Sequence, residues 1–121
     1  MRRLILVFPA MFLICACTRQ PEIAQWHGPN RDGSYPGTGL LKEWPKEGPG
    51  LLWASDMIGD GYGSPVVTCD GLFVTGGIDS TAYLFSFDLK GKLNWKVPYG
   101  PEWEKGFPGS RSAPTVVDDL V

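Results

Sequence analysis

Short runs of β-branched and aromatic residues, separated by turn residues, begin at Leu51. Runs of this kind are typical of β-strands. The run 82–87 is apolar at nearly every position, which predicts a strand that is covered on both faces. The whole pattern predicts strands at about 51–55, 65–69, 72–76, 81–87 and 93–98, with another beginning near 114.

Glycine and proline divide the rest of the chain. Hairpin-type turns are predicted at Asp70-Gly71, Gly76-Gly77 and Lys90-Gly91-Lys92. Residues 18–50 contain too many of these breakers for a long helix. The first residues of the segment 18–50 are expected to form a tether. Trp26 and Trp44 are costly to expose and are expected to pack on the folded body.

An internal repeat connects the two halves of the strand-rich region. Leu52-Trp53 aligns with Asn94-Trp95, and the two tryptophans are 42 residues apart. In each copy a serine-proline strand start follows, with the proline at Pro65 and Pro114. The second copy carries a seven-residue insertion within Tyr99 to Arg111.

The stretch Ser86–Trp95 resembles the tryptophan-docking repeat of pyrroloquinoline-quinone (PQQ)-like β-propellers, although Lys90 stands where threonine is usual. Residues 26–33 look like the lead-in of exported propellers in the same superfamily. The resemblance implies an all-β fold of four-stranded antiparallel blades. About one and a half blades of a propeller of about seven or eight would be present, so the chain is expected to be an N-terminal fragment. It also implies blade-docking roles for Trp53, Asp88, Gly91 and Trp95.

The first residues have the pattern of an export signal. Arg2 and Arg3 precede an apolar run, 4–16, that is shorter than the roughly 20 residues of a membrane span. The segment Ile14-Cys15-Ala16-Cys17 resembles a bacterial lipobox, which predicts lipidation at Cys17; an ordinary signal peptide is the alternative. The predicted organisation is a signal at 1–17, a tether and lead-in at 18–50 and propeller repeats at 51–121. The expected location is the bacterial cell envelope, at the outer membrane or on the periplasmic side, with the lipid as a membrane contact.

Charge and the scarcity of reactive residues limit the function. The 121-residue chain has 11 basic and 13 acidic residues and a net charge of −2, which argues against nucleic acid as a partner. The single histidine, His27, has no cysteine or second histidine nearby, and Asp118-Asp119 is interpreted as a turn. The sequence therefore assigns no catalytic and no metal-ligating residue.

The insertion supplies the candidate contact residues. Propeller loops gather at the faces where ligands bind, and this loop contains Trp103, Phe107 and Arg111. A role in contacting a ligand or partner is one interpretation. Packing of Trp103 and Phe107 on a neighbouring blade is the other.

Three functions are compatible with these features. The first is a non-catalytic binding or scaffolding lipoprotein, similar in plan to the B subunit of the outer-membrane β-barrel assembly machinery, which contacts protein partners. The second is a quinoprotein dehydrogenase, the one case in which PQQ and calcium are expected as cofactors. The third is a propeller that recognises saccharides through Trp103 and Phe107. We expect binding rather than catalysis.

Overall fold

The computed structural model describes residues 23–35 and 37–121. The signal, the lipidation site Cys17 and the start of the tether lie outside these residues. The fold is all-β, with no helix in the part of the chain that is described. Accordingly, no helix within 23–35 or 37–121 is long and apolar enough to cross a membrane. The described residues contain six strands, which are β1 (Ile23–Gln25), β2 (Val66–Val67), β3 (Leu72–Ile78), β4 (Thr81–Phe87), β5 (Leu93–Pro101) and β6 (Thr115–Val117).

Strands β2, β3, β4 and β5 form one antiparallel sheet in that order. Strand β4 is the centre of this sheet, because it pairs with β3 along its whole length and with β5 from Thr81 to Phe87. Both of its faces are covered, as predicted, with Phe85 and Ser86 buried on opposite faces. Strands β1 and β6 form a separate two-stranded antiparallel sheet.

One face of the four-stranded sheet carries the hydrophobic core. Val74, Phe85 and Phe87 are buried there, and the partly buried Ile58 packs against them. The opposite face contacts the segment that leads into β6, since the Thr75 hydroxyl donates a hydrogen bond to the Ser112 carbonyl at 2.6 Å. The sheet is thus held between the segment before it and the segment after it.

Two turn predictions differ in outcome. At Asp118-Asp119 the prediction is confirmed: Val117 and Leu120 exchange two backbone hydrogen bonds of 2.9 and 3.0 Å around these two residues. At Gly76-Gly77 it is wrong, because both glycines lie inside β3. The hairpin turns instead at Asp79 and Ser80, which both have positive φ, as a type I′ turn requires. Gly76 is glycine for a different reason: a Cβ there would collide with the Ile58 carbonyl.

The segment before the sheet departs most from prediction. Residues 51–55 form no strand. They contribute no paired edge to the sheet; Trp53 packs instead against the end of the sheet, and Leu52 is exposed. The expectation that Trp26 and Trp44 pack on the body is also wrong, since their side chains are 57% and 70% exposed. Strand β1, in the predicted tether, was not expected, because its pairing with β6 spans about 90 residues of sequence.

Removal of the core phenyl ring should test this packing. Phe85 is 0% exposed, so Phe85→Ala is expected to lower the free energy of unfolding by about 3–5 kcal/mol. Urea unfolding of the full chain, followed by circular dichroism, measures the change. Phe107→Ala is the matched control: its ring is 73% exposed, and a change within about 0.5 kcal/mol is expected. Equal losses in the two variants would contradict this core.

Candidate functional site

The turn between β4 and β5 is built by Asp88. Its side-chain Oδ1 accepts hydrogen bonds from the backbone N–H groups of Lys90 and Lys92 at 2.8 and 2.9 Å. Its backbone N–H donates to the Lys92 carbonyl at 2.9 Å, and its carbonyl accepts from the Gly91 N–H at 3.0 Å. One carboxylate therefore holds the turn closed, a role that suits the short acceptor side chain of aspartate.

Gly91 in this turn provides the seat for Trp53. Its φ is +85°, and a Cβ at this position would lie 2.6–2.8 Å from atoms of the Trp53 ring. Glycine is therefore required both by the backbone and by the neighbouring indole. The indole Nε1 also donates a hydrogen bond to the Leu89 carbonyl at 3.1 Å, and its ring stacks on Phe87 with 6.0 Å between centroids. The structure thus brings Trp53, Asp88 and Gly91 together.

Trp95, the second tryptophan of the repeat, lies apart from that cluster. It pairs with Ser86 across the sheet, and its ring centroid is 5.9 Å from that of Phe73. Its side chain is 39% exposed. Within the described residues, no glycine turn covers Trp95 in the way that the 88–92 turn meets Trp53.

The loop 102–111 is held by a small hydrogen-bonded cluster at its base. Ser110 is buried, and its hydroxyl donates a short hydrogen bond to Glu102 Oε2. Since the Ser110 proton is used in this way, the Tyr99 hydroxyl is the donor in its 3.2 Å contact with Ser110 Oγ. Glu102 Oε1 accepts the Trp103 N–H at 2.8 Å. This cluster ties the two ends of the loop to β5.

The loop presents two aromatic side chains from this base. Trp103 is 55% exposed and Phe107 is 73% exposed. The Arg111 guanidinium donates a short hydrogen bond to the Phe107 carbonyl, and its carbon lies 6.0 Å from the centroid of the Tyr62 ring. The three predicted contact residues, Trp103, Phe107 and Arg111, therefore belong to one ordered loop. Within this loop the Arg111 side chain stabilises the backbone at Phe107 through its hydrogen bond.

Beside this loop is a cavity of about 280 Å³ with an acidic lining. Trp103 and Glu104 contribute to it from the loop, whereas Asp60 and Asp79 come from other parts of the chain. Asp60 reaches this position because its backbone exchanges hydrogen bonds of 3.0 and 2.7 Å with Gly77. Sequence reasoning missed Asp60 and Asp79, since they are 19 residues apart and only strand pairing brings them together. No group of three side chains suited to a metal ion occurs within residues 23–35 and 37–121.

The packing of Trp53 on Gly91 can be tested by a substitution that adds one methyl group at position 91. Gly91→Ala adds a Cβ against the indole at a backbone angle that costs an L-residue about 1–2 kcal/mol. Gly106→Ala is the matched control, because Gly106 has a similar φ of +79° but nothing within 4 Å of an added Cβ. We expect Gly91→Ala to lower the free energy of unfolding by about 1 kcal/mol more than Gly106→Ala, through loss of the Trp53 contacts.

Urea unfolding measures that difference, and the NMR signal of the Trp53 indole N–H reports directly on its hydrogen bond to Leu89. A signal shift is expected only in Gly91→Ala. If both variants lost the same unfolding free energy and the indole signal did not shift, the loss in Gly91→Ala would come from the backbone angle alone, and the contact with Trp53 would contribute nothing measurable.

No protein-family model, no curated protein and no solved structure matches this chain.

Proposed function

We propose that this chain is the N-terminal part of a non-catalytic, PQQ-like β-propeller lipoprotein that serves as a binding or scaffolding module at the cell envelope. The observation that carries the binding role is the loop 102–111, which displays Trp103 and Phe107 to solvent from a buried hydrogen-bonded base. Exposed aromatics on an ordered support are typical of the residues that dominate binding energies, because little side-chain freedom is lost on binding.

The contacts of Trp53 support the propeller. Trp53 comes from one copy of the 42-residue repeat and packs on the Gly91 turn of the next. A contact between successive copies of a repeat is what a radial or stacked repeat architecture requires, since each unit buries its apolar face against its neighbours. In the proposed propeller, Trp95 makes the same contact with a further repeat, which accounts for its exposure here.

The composition of the loop supports a protein partner. Aromatic residues and arginine are enriched at the centres of protein interfaces. Phe107 and Arg111 are adjacent through a hydrogen bond, and Trp103 lies at the rim of the acidic cavity. This arrangement combines an apolar anchor, a cation and several carboxylates on one surface, and it suits a partner that presents an apolar side chain beside basic groups.

The loop contact can be tested by site-specific photocrosslinking in the source cells. With benzoylphenylalanine in place of Phe107 in the chromosomal gene, we expect a discrete crosslinked species, because the partner covers this ring. The same crosslinker in place of Tyr35, which is also exposed but lies outside the loop, is the control and should give none. Mass spectrometry of the adduct identifies the partner.

Crosslinks at both positions or at neither would contradict a specific contact at the loop. Oxidation of an alcohol or sugar by the purified protein after addition of PQQ and calcium would favour the dehydrogenase instead.

The anchor can be tested separately. Cys17→Ser removes the proposed thiol for lipid attachment, so we expect loss of palmitate labelling and release of the protein from the membrane fraction. Cys15→Ser is the control, since Cys15 is followed by Ala16 and Cys17 but preceded by the bulky Ile14; it should be labelled normally. Full labelling of Cys17→Ser would disprove the lipid anchor at this residue.

A further inference from the structure

Two adjoining cavities lie beside the two-stranded sheet, with volumes of about 370 and 140 Å³. Both are lined by Trp26 and Ala113, so these two residues are shared by the two cavities. Arg31 lines the larger cavity, and Tyr62 and Arg111 line the smaller one. We call these five residues the Trp26 groove.

Each of the two cavities has one arginine in its lining, Arg31 in the larger and Arg111 in the smaller. The Arg31 Nε donates to the Gln25 side chain at 3.0 Å, and the Gln25 amide in turn donates to the Pro29 carbonyl at 3.1 Å. This chain of hydrogen bonds orients the Arg31 guanidinium, and its two terminal nitrogens have no partner among the described residues. Arg111 uses one terminal nitrogen for the Phe107 carbonyl. Of the described residues that line the two cavities, none is acidic.

The aromatic side chains of the groove are exposed but ordered. Trp26 packs against the His27 ring at 3.8 Å between centroids, within a turn closed by a 2.9 Å hydrogen bond from the Gly33 N–H to the His27 carbonyl. His27 and Arg31 both have positive φ, a conformation that costs free energy in non-glycine residues and needs support from its surroundings. The turn therefore holds Trp26 and Arg31 in fixed relative positions.

We propose that the Trp26 groove binds an acidic saccharide. The apolar C–H face of a pyranose ring stacks on the exposed indole, and carboxylates on successive sugar units bind the guanidinium groups of Arg31 and Arg111. Guanidinium suits this role because its fork of N–H donors matches a carboxylate in two parallel hydrogen bonds. Two arginine-lined cavities that share one exposed aromatic residue fit a ligand that repeats one negative charge along its length.

A polyanion of the nucleic-acid type fits the surroundings less well. The chain has a net charge of −2, and nucleic-acid sites need a broad basic surface. The segment that carries Tyr62 also carries Asp60, which lines the acidic cavity together with Asp79 and two glutamates. This saccharide site requires no closed propeller, but it shares Arg111 with the loop 102–111 of the proposed function. Arg31 lies outside that loop, so the effect of Arg31→Gln on saccharide binding is distinguishable from a failure of the proposed partner contact at Phe107.

The test is titration of the full chain with trigalacturonate, measured by isothermal calorimetry in detergent. We expect binding that weakens with added salt, and no binding of the fully methyl-esterified trisaccharide, which keeps the sugar rings but lacks the charges. Arg31→Gln and Arg111→Gln should each weaken binding about tenfold or more, since each removes a charge-assisted pair. Trp26→Ala should weaken it to a similar extent through loss of stacking.

Two control variants carry the same chemical changes away from the groove. Lys90→Gln removes a cation of the β4–β5 turn, and Trp44→Ala removes an exposed indole; both should bind trigalacturonate like the unaltered chain. Arg31 and Arg111 lie on different segments, so if one variant fails to fold, as judged by circular dichroism, the other still decides the result.

Three results would overturn the proposal. These are equal binding of the methyl ester, equal loss in the Lys90→Gln or Trp44→Ala controls, and tighter binding of an oligouridylate of the same charge than of trigalacturonate.

Discussion

The contact between Trp53 and the turn at 88–92 is the interaction on which the placement of the other elements depends. Trp53 belongs to a segment with no strand of its own, and its indole is held by the Gly91 backbone, the Leu89 carbonyl and the Phe87 ring. Once Trp53 is seated, the residues after it run past the core face, where Ile58 joins the core and Asp60 pairs with Gly77. A single aromatic side chain thus converts an irregular segment into a cover for the sheet.

Close backbone approach is the constraint that recurs along this cover. A Cβ on Gly76 would collide with the Ile58 carbonyl, and a Cβ on Gly59 would collide with the Gly77 carbonyl. Small residues at these points let the segment lie directly on β3 and let backbone groups bond to each other. The same approach carries Asp60 to the acidic cavity and Tyr62 to the Trp26 groove, so the packing of the cover determines which side chains line both sites.

The two sites have opposite charge although they adjoin the same short segment. The acidic cavity collects carboxylates from the segment, the β3–β4 hairpin and the loop 102–111, whereas the Trp26 groove collects cations from the first turn and from the end of that loop. The net charge of −2 does not reveal this separation of acidic and basic residues.

The sequence by itself determined the all-β class, the central strand 81–87 and the turns at Lys90-Gly91-Lys92 and Asp118-Asp119. These features depend on local periodicity and on backbone preferences of neighbouring residues, which a linear pattern contains. It also pointed to the loop with Trp103, Phe107 and Arg111, since an insertion in a repeat is visible by alignment of the two copies.

Only the tertiary structure decided that residues 51–55 cover the sheet rather than join it, that Gly76-Gly77 continue β3, and that β1 pairs with β6. It alone brought Asp60 and Asp79 into the lining of one cavity, and Trp26 into two linings that contain Arg31 and Arg111 respectively. These outcomes depend on contacts between residues far apart in the chain, where the space available and the competing partners are set by the folded molecule and not by neighbouring residues.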